Sequence, residues 1–281
     1  MLPAVRNDDR DLVELWLSLK TSDHTRRAYA FEAGRFLTAL GKPLSGATLR
    51  DVQDWAAGLE RGIKPATLNR SLTAIKSLFA FGHETGYLPF NVAVAVKLRP
   101  RRDDLAQRIL DEDAVAQLIA AAGEGRDRVL LKLLYVSGAR VSEICGLRWR
   151  DTVARQGGGQ VTLYGKGGKT RTVLLRENVW GELMGLREGS DAGEPVFQSR
   201  KGRGHLDPSH VRRIVYAAAR KAGLAQKVSP HWMRHAHASH ALDHHAPIHL
   251  VQATLGHASV ATTGRYLHAR PAESSSFYLP D

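Results

Sequence analysis

The chain has 281 residues, 43% of them hydrophobic and 24% charged, a globular mix long enough for two domains of ordinary size. Forty Lys and Arg against 28 Asp and Glu leave a net charge of +12, which suits a polyanion, most simply nucleic acid. One cysteine excludes an internal disulfide and a Cys-rich zinc site; the acidic start is no signal peptide, and the apolar stretch 129–136 is short and broken by Lys132. No segment is therefore expected to span a membrane, and a reducing, cytoplasmic compartment is expected.

Residues 10–95 read as helices joined by short turns. Asp11–Leu19 is amphipathic. Ser22 or Thr25 caps a second helix carrying Tyr29, Phe36, Leu37 and Leu40, which Gly41 and Pro43 stop. Thr48 caps a third, with Val52, Trp55 and Leu59 on one face. Pro65 opens a fourth, where Leu68, Leu72, Ile75 and Phe79 recur at helical spacing. The charged run LRPRRDDLAQR, residues 98–108, with Pro100, reads as a linker.

Beyond it, Asp111 caps a helix through Ala122, and another runs from Asp127 to Ser137. Gly138 interrupts, and a helix from Arg140 to Leu147 contains Cys145, read as a small core residue. Over residues 160–175 the period changes. Val161 and Leu163, then Arg171, Val173 and Leu175, flank GKGGK, which predicts a β-hairpin with a glycine-rich turn. Val196 and Phe197 predict a short third strand. Helices are then expected over 208–222, 230–244, 247–255 and 259–268. The expected fold class is mainly α with a small antiparallel β-sheet: a helical N-terminal unit and an α+β C-terminal one.

The chemistry concentrates between His231 and Tyr266, in HWMRH, LGH and a tyrosine nine residues after that last histidine. Ser229 and Pro230 start a helix, so His231 and Arg234 share a face near an end that favours anions. Gly256 is a helix stop, with His257 directly after it. Ser259 caps the helix that presents Tyr266, and Gly264 weakens that helix by roughly 1 kcal/mol relative to Ala. Upstream, Arg140 and Glu143 are spaced so that the carboxylate orients the guanidinium. GKGGKTR is not a Walker A loop, because Leu163 stands where the first glycine is needed; a lysine at a hairpin tip fits phosphate contact or proton donation. His240 and His244 have a spacing that zinc uses, but no HExxH or completing carboxylate accompanies them. Singly, each feature has an ordinary reading: a solvated polar face, a half-buried tyrosine, a surface ion pair, a soluble turn. Together they are what metal-free chemistry on a phosphodiester needs, with cations for the phosphate, imidazoles for protons and a phenol to attack.

The order and spacing of GARVSEICGLRW, YGKGGKTRTV, HWMRHAHASH and LGHASVATTGRYLH resemble the tyrosine recombinase (phage integrase) family, in the two-domain layout of its Xer-like members. The resemblance implies a helical, SAM-like core-binding domain over 1–98, a linker over 99–108 and a catalytic domain over 109–281. It assigns Arg140 and Arg234 to the scissile phosphate, Lys166 to the hairpin lysine, His231 and His257 to the active-site imidazoles, and Tyr266 to the nucleophile, with Glu143 behind Arg140. It implies site-specific cutting and rejoining of DNA through a 3′-phosphotyrosine, with no cofactor, metal or ATP. The implied partners are double-stranded DNA at a specific site and a homo-tetramer, or a hetero-tetramer with a related recombinase, on two sites. Basic residues expected to meet DNA are Arg26, Arg27, Lys64, Arg70 and Lys76 in the first unit and Arg200, Lys201, Arg203, Arg212 and Arg213 in the second. A type IB topoisomerase and a non-catalytic DNA-binding protein are the rival readings. The tail 270–281, with Pro271 and the apolar Phe277, Tyr278 and Leu279, is expected to dock on a neighbouring subunit.

Overall fold

The computed structural model describes residues 8–100, 103–200, 202 and 204–267, and at Lys166 the backbone only. Lys201, Arg203 and the tail 270–281 lie outside the described residues. The chain divides into two compact units, at Arg102 and Asp103.

The first unit is helical. α1 is Asp9–Ser18, α2 Asp23–Leu40, α3 Leu49–Glu60 and α4 Pro65–Glu84. Their ends follow local chemistry. Ser22 Oγ accepts the Thr25 amide, Gly41 closes α2 in the left-handed region (φ 64), and Thr48 and Asp51 form a reciprocal capping box. Pro65 sits in the first turn of α4, where its missing N–H costs nothing. The apolar stripes meet in one core of Leu12, Trp16, Phe36, Val52, Leu72 and Phe79, with Phe36 edge-on to both Trp55 and Phe79. Arg99 is bound back onto this unit: it exchanges hydrogen bonds with the Asn69 side chain and forks onto Glu60 at 2.9 Å.

The second unit contains α5 (Glu112–Ala121), α6 (Arg126–Ser137), α7 (Val141–Gly146), β1 (Thr152–Arg155), β2 (Gly158–Tyr164), β3 (Thr170–Arg176), α8 (Glu177–Met184), α9 (Pro208–Lys221), α10 (Pro230–Asp243), α11 (Ile248–Leu255) and α12 (Val260–Gly264). The sheet is antiparallel in the order β1-β2-β3, with Val161 opposite Val173 and Leu163 opposite Arg171. Val161, Leu163, Val173 and Leu175 turn inward to join Leu130, Leu134, Trp149, Phe197 and Met233 in the core. α10 runs through the middle of the unit. It buries Met233, Arg234, His235, Ala236 and Ala238 against α6, α11 and the segment before α5. Near its end, His240 bonds Tyr135 Oη at 2.9 Å and the Leu110 carbonyl at 2.9 Å, and His244 meets Glu112 at 2.6 Å.

Four elements differ from expectation. β1 and α8 were not predicted: β1 is an edge strand exposed along most of its length and has no alternation to read. Val196 and Phe197 form no strand. They are buried by two isolated bridges, Arg148 to Pro195 and Gln198 to His205, because a two-residue apolar pair is too short to sustain a ladder. The last helix is Val260–Gly264, so Tyr266 lies beyond it on a turn closed by Tyr266 N–H to Thr263 O at 3.0 Å.

Candidate active site

Arg234 organises the site. It lies one turn into α10, only 2% exposed, between the carboxyl ends of two other helices. Nη1 donates to the Gly138 carbonyl at 2.6 Å and Nη2 to the Leu255 carbonyl at 2.7 Å. Both acceptors are helix-end carbonyls, whose partial negative charge suits a buried cation. Burial lowers its pKa to about 10, with Arg140 and Arg171 acting in the same direction, so Arg234 stays charged at neutral pH. Gly138 is in the left-handed region (φ 56), and a Cβ there would stand 2.7 Å from Leu255 Cδ2 and 2.8 Å from His237 Cδ2. Both the conformation and the space require glycine.

Arg140 follows two residues after that glycine, at the start of α7. It caps the helix rather than lying within it, so its link to Glu143 is a cap contact and not a shared helical face. Glu143 accepts the Arg140 backbone N–H at 2.7 Å and its Nη1 at 2.8 Å. The same carboxylate, 1% exposed, is gripped from the other side by Arg171 of β3, with Nη1 at 2.8 Å and Nη2 at 2.7 Å. Burial pushes the Glu143 pKa up, but the Arg171 hydrogen bonds and the Arg140 amide outweigh it and hold the group below its ordinary value. Gly165 lets the hairpin lie against this cluster: a Cβ would be 3.1 Å from Glu143 Oε1. The backbone of Lys166 comes next.

His257 is set by Gly256, the left-handed cap of α11 (φ 64). Its Nδ1 pairs with Thr263 Oγ1 of α12 at 2.9 Å. Burial lowers its pKa to about 4, with Arg234, Arg140, Arg171 and His231 adding to the effect. His231 is open to solvent at the start of α10. It too is held below its ordinary value, by desolvation first and by Arg234 and Arg140 next. His257 is therefore neutral at pH 7, and the shift at His231 favours its neutral form.

Tyr266 is buried, 6% exposed, among Leu105, Ile109, Val251 and Leu255. Its Oη is 2.7 Å from His235 Nδ1. Burial raises the phenol above its usual value against the pull of Arg234 and Arg265, and burial lowers His235 to about 3. His235 was not picked out from the sequence. The available signal was its i+4 spacing from His231, whose ring stacks edge-on to it with centroids 4.3 Å apart.

A cleft of about 610 Å³ is lined by Arg140, Gly165, Lys169, Arg171, Gly256 and His257. Arg140 and His257 both line this cleft, each two residues after a carbonyl that Arg234 holds, and His231 packs edge-on against the His235 ring that bonds Tyr266 Oη. Among the described residues no three His, Cys, Asp or Glu side chains are grouped to hold a metal ion. No helix among them is long and apolar enough to cross a membrane.

The expected DNA-contacting cations fare unequally. Arg27, Lys64, Arg212 and Arg213 are exposed. Arg26 pairs loosely with Asp23, Arg70 with Glu32 at 3.6 Å and Arg200 with Asp127 at 3.8 Å. Lys76 is a correction. Its ammonium donates to the Ala93, Val94 and Val96 carbonyls at 2.8, 2.8 and 2.7 Å, so it ties down the 91–96 turn and is not free for DNA.

The likenesses agree with this build. Residues 108–273 match the Phage integrase family and residues 12–85 its N-terminal SAM-like domain. Tyrosine recombinase XerC of Xanthomonas campestris pv. campestris (strain B100) is 33% identical over 270 residues, covering 92% of this chain and 82% of that protein. XerC of Mycobacterium leprae (strain TN) is 33% identical over 267 residues, covering 88% and 89%. Among solved structures, XerA recombinase is 26% identical at TM-score 0.55, covering 96% of this chain and 97% of that one. XerH site-specific recombinase bound to its palindromic difH substrate, post-cleavage, is 21% identical at TM-score 0.77, covering 90% and 78%. The chain belongs to the phage integrase family. It is a site-specific DNA recombinase of the tyrosine type; the topoisomerase and non-catalytic readings are not favoured.

Proposed function

We propose that Tyr266 is the nucleophile, that Arg140 and Arg234 hold the scissile phosphate, and that Lys166 is the general acid. One observation supports this reading: Arg234 braces the Gly138 and Leu255 carbonyls together, and these stand two residues before Arg140 and two before His257 in the chain. Two guanidiniums at one phosphate neutralise charge that grows in the transition state. Tyr266 Oη attacks phosphorus and the 5′-oxygen leaves, taking its proton from Lys166. The phenolic proton passes to a neutral imidazole, His231 or His257. One phosphoester bond forms as one breaks, so the 3′-phosphotyrosine keeps the bond energy, and a second strand's 5′-hydroxyl reseals without ATP. A carboxylate already held by two arginines leaves no evident metal site here.

The finer organisation follows from the same reading. Residues 1–98 form the core-binding domain, 99–108 the linker and 109–281 the catalytic domain; the first meets DNA phosphates through Arg26, Arg27, Lys64 and Arg70 and the last through Arg200, Lys201, Arg203, Arg212 and Arg213. Strand exchange takes place in a homo-tetramer, or a hetero-tetramer with a related recombinase, on two sites. The lambda integrase tetramer on a Holliday junction, 19% identical at TM-score 0.70, supports that arrangement by fold alone. A DNA substrate supports a cytoplasmic location.

The test is adduct trapping. Protein is incubated with genomic fragments, denatured in detergent, and the attached DNA is sequenced. Wild type should leave adducts at a discrete site, in EDTA as well as without it, and Tyr266→Phe should leave none while binding DNA. Adducts formed by the Phe variant would remove Tyr266 as nucleophile, and loss of adducts on chelation, restored by a divalent metal, would overturn the metal-free mechanism.

A further inference from the structure

Arg171 occupies an unexpected position. In the β2–β3 ladder it stands directly opposite Leu163, which is fully buried, and its own side chain is 10% exposed. An arginine on that inward face is costly unless every arm is matched. Here each nitrogen of the guanidinium is matched: Nη1 and Nη2 fork onto Glu143, and Nε donates to the Thr254 carbonyl at 2.6 Å. An apolar residue would fill the position at less cost, so the pairing points to a role beyond packing.

We infer that Arg171 is a positioning residue of the phosphate site, holding Glu143 so that Arg140 keeps its charge for the substrate and fixing the end of α11 from which His257 follows. The inference rests on the reading of Arg140 and His257 as phosphate-binding groups. Its electrostatics are simple. Glu143 with Arg140 alone is a neutral pair, and an incoming phosphate would compete with a buried carboxylate. With Arg171 the cluster carries one net positive charge. Arg171 takes both carboxylate oxygens, while among the described residues Arg140 has a partner only at Nη1 of its guanidinium and remains 39% exposed. Its geometry is equally direct. Thr254 lies three residues before His257, and a Cβ on the intervening Gly256 would be 3.2 Å from Arg171 Cδ. The hairpin, the start of α7 and the end of α11 therefore meet on one side chain.

The experiment is a mutant cycle on the DNA recovered by adduct trapping. Arg171→Ala should slow adduct formation by about 100-fold, the scale of a misplaced catalytic group, with DNA affinity changed only a few-fold. Adding Glu143→Gln, which removes the anion that competes with phosphate for Arg140, should recover about ten-fold of that loss. Arg171→Lys keeps the charge without the fork and should fall between, which covers an alanine variant that fails to fold. An Ala variant at the wild-type rate, or a double variant with no recovery, would overturn the inference. A second readout needs no cleavage: the NMR titration of His257 in the free protein. Its midpoint should rise in Arg171→Ala and move partway back with Glu143→Gln, and an unmoved midpoint would overturn the inference. A wild type that forms no adduct would sink the phosphodiester reading, while the His257 titration would still decide the role of Arg171.

Discussion

Lys76 and Lys166 are both lysines in a strongly basic chain, and opposite effects are expected of their replacement. Lys76 saturates its ammonium with three carbonyls of the 91–96 turn. Lys76→Met should therefore cost about 1 kcal/mol in urea unfolding, through the part-buried Ala93 and Val96 carbonyls left unpaired, and leave the DNA affinity of the folded protein unchanged. An affinity loss with no stability loss would restore it to the DNA-contacting set. For Lys166 the expected effect is kinetic. Lys166→Ala should slow cleavage far more than it weakens binding, and a substrate with a bridging sulfur at the 5′ position should largely rescue it, since that leaving group needs less proton donation. Equal impairment on both substrates would remove Lys166 as the general acid. His235 carries the opposite lesson: its i+4 spacing from His231 was the only sign in the sequence of a residue that ends 2.7 Å from the Tyr266 hydroxyl.

Elements deliver these side chains chiefly at their ends. Arg140 starts α7, Gly138 ends α6, and His257 follows the glycine that ends α11. Gly138 is the position where such an ending is least replaceable. Gly138→Ala forces a left-handed alanine and a Cβ into Leu255 and His237, on the order of 3 kcal/mol from strain and overpacking. It should lower the melting temperature and also slow adduct formation, because the displaced carbonyl is one that Arg234 uses. A variant with wild-type stability would mean that the α6–α7 corner relaxes freely. Helix limits were legible where a capping residue marks them, as at Ser22, Thr48, Pro65 and Asp111. They were not at β1 and α8, which lack a strong period or cap, or at Tyr266, where the helix stops at Gly264.

Across the whole molecule, the buried histidines couple stability to pH. His235 is held near 3, and His237 and His257 near 4, by burial first in each case. All three lie below the unfolded value of about 6.5, so between those limits the unfolded chain binds more protons and stability falls as pH falls. Above about 6.5 both states are neutral and these groups add no slope. His235, the most buried of the three, then contributes up to about 1.4 kcal/mol per pH unit below 6.5, and the half-buried His237 and His257 less. The urea midpoint should be flat from pH 7 to 8 and drop clearly by pH 5. A midpoint unchanged at pH 5 would show these imidazoles to be solvated.

The sequence by itself determined the helical first unit, the hairpin and the set of candidate reactive side chains. Caps, apolar periods and short motifs are local, and they are written in consecutive residues. It also determined the family, because the order and spacing of Arg140, Lys166, His231, Arg234, His257 and Tyr266 survive without any structure. Tertiary structure decided which cations are free and which are bound. Nothing local distinguishes Lys76, tied to a turn seventeen to twenty residues away, from an exposed lysine. Nothing local shows that Arg171 crosses from β3 to Glu143 and Thr254, or that Arg234 joins two helix ends 117 residues apart in the chain, at Gly138 and Leu255. Those pairings depend on burial, where an unmatched charge is expensive, and burial is set only when distant segments pack.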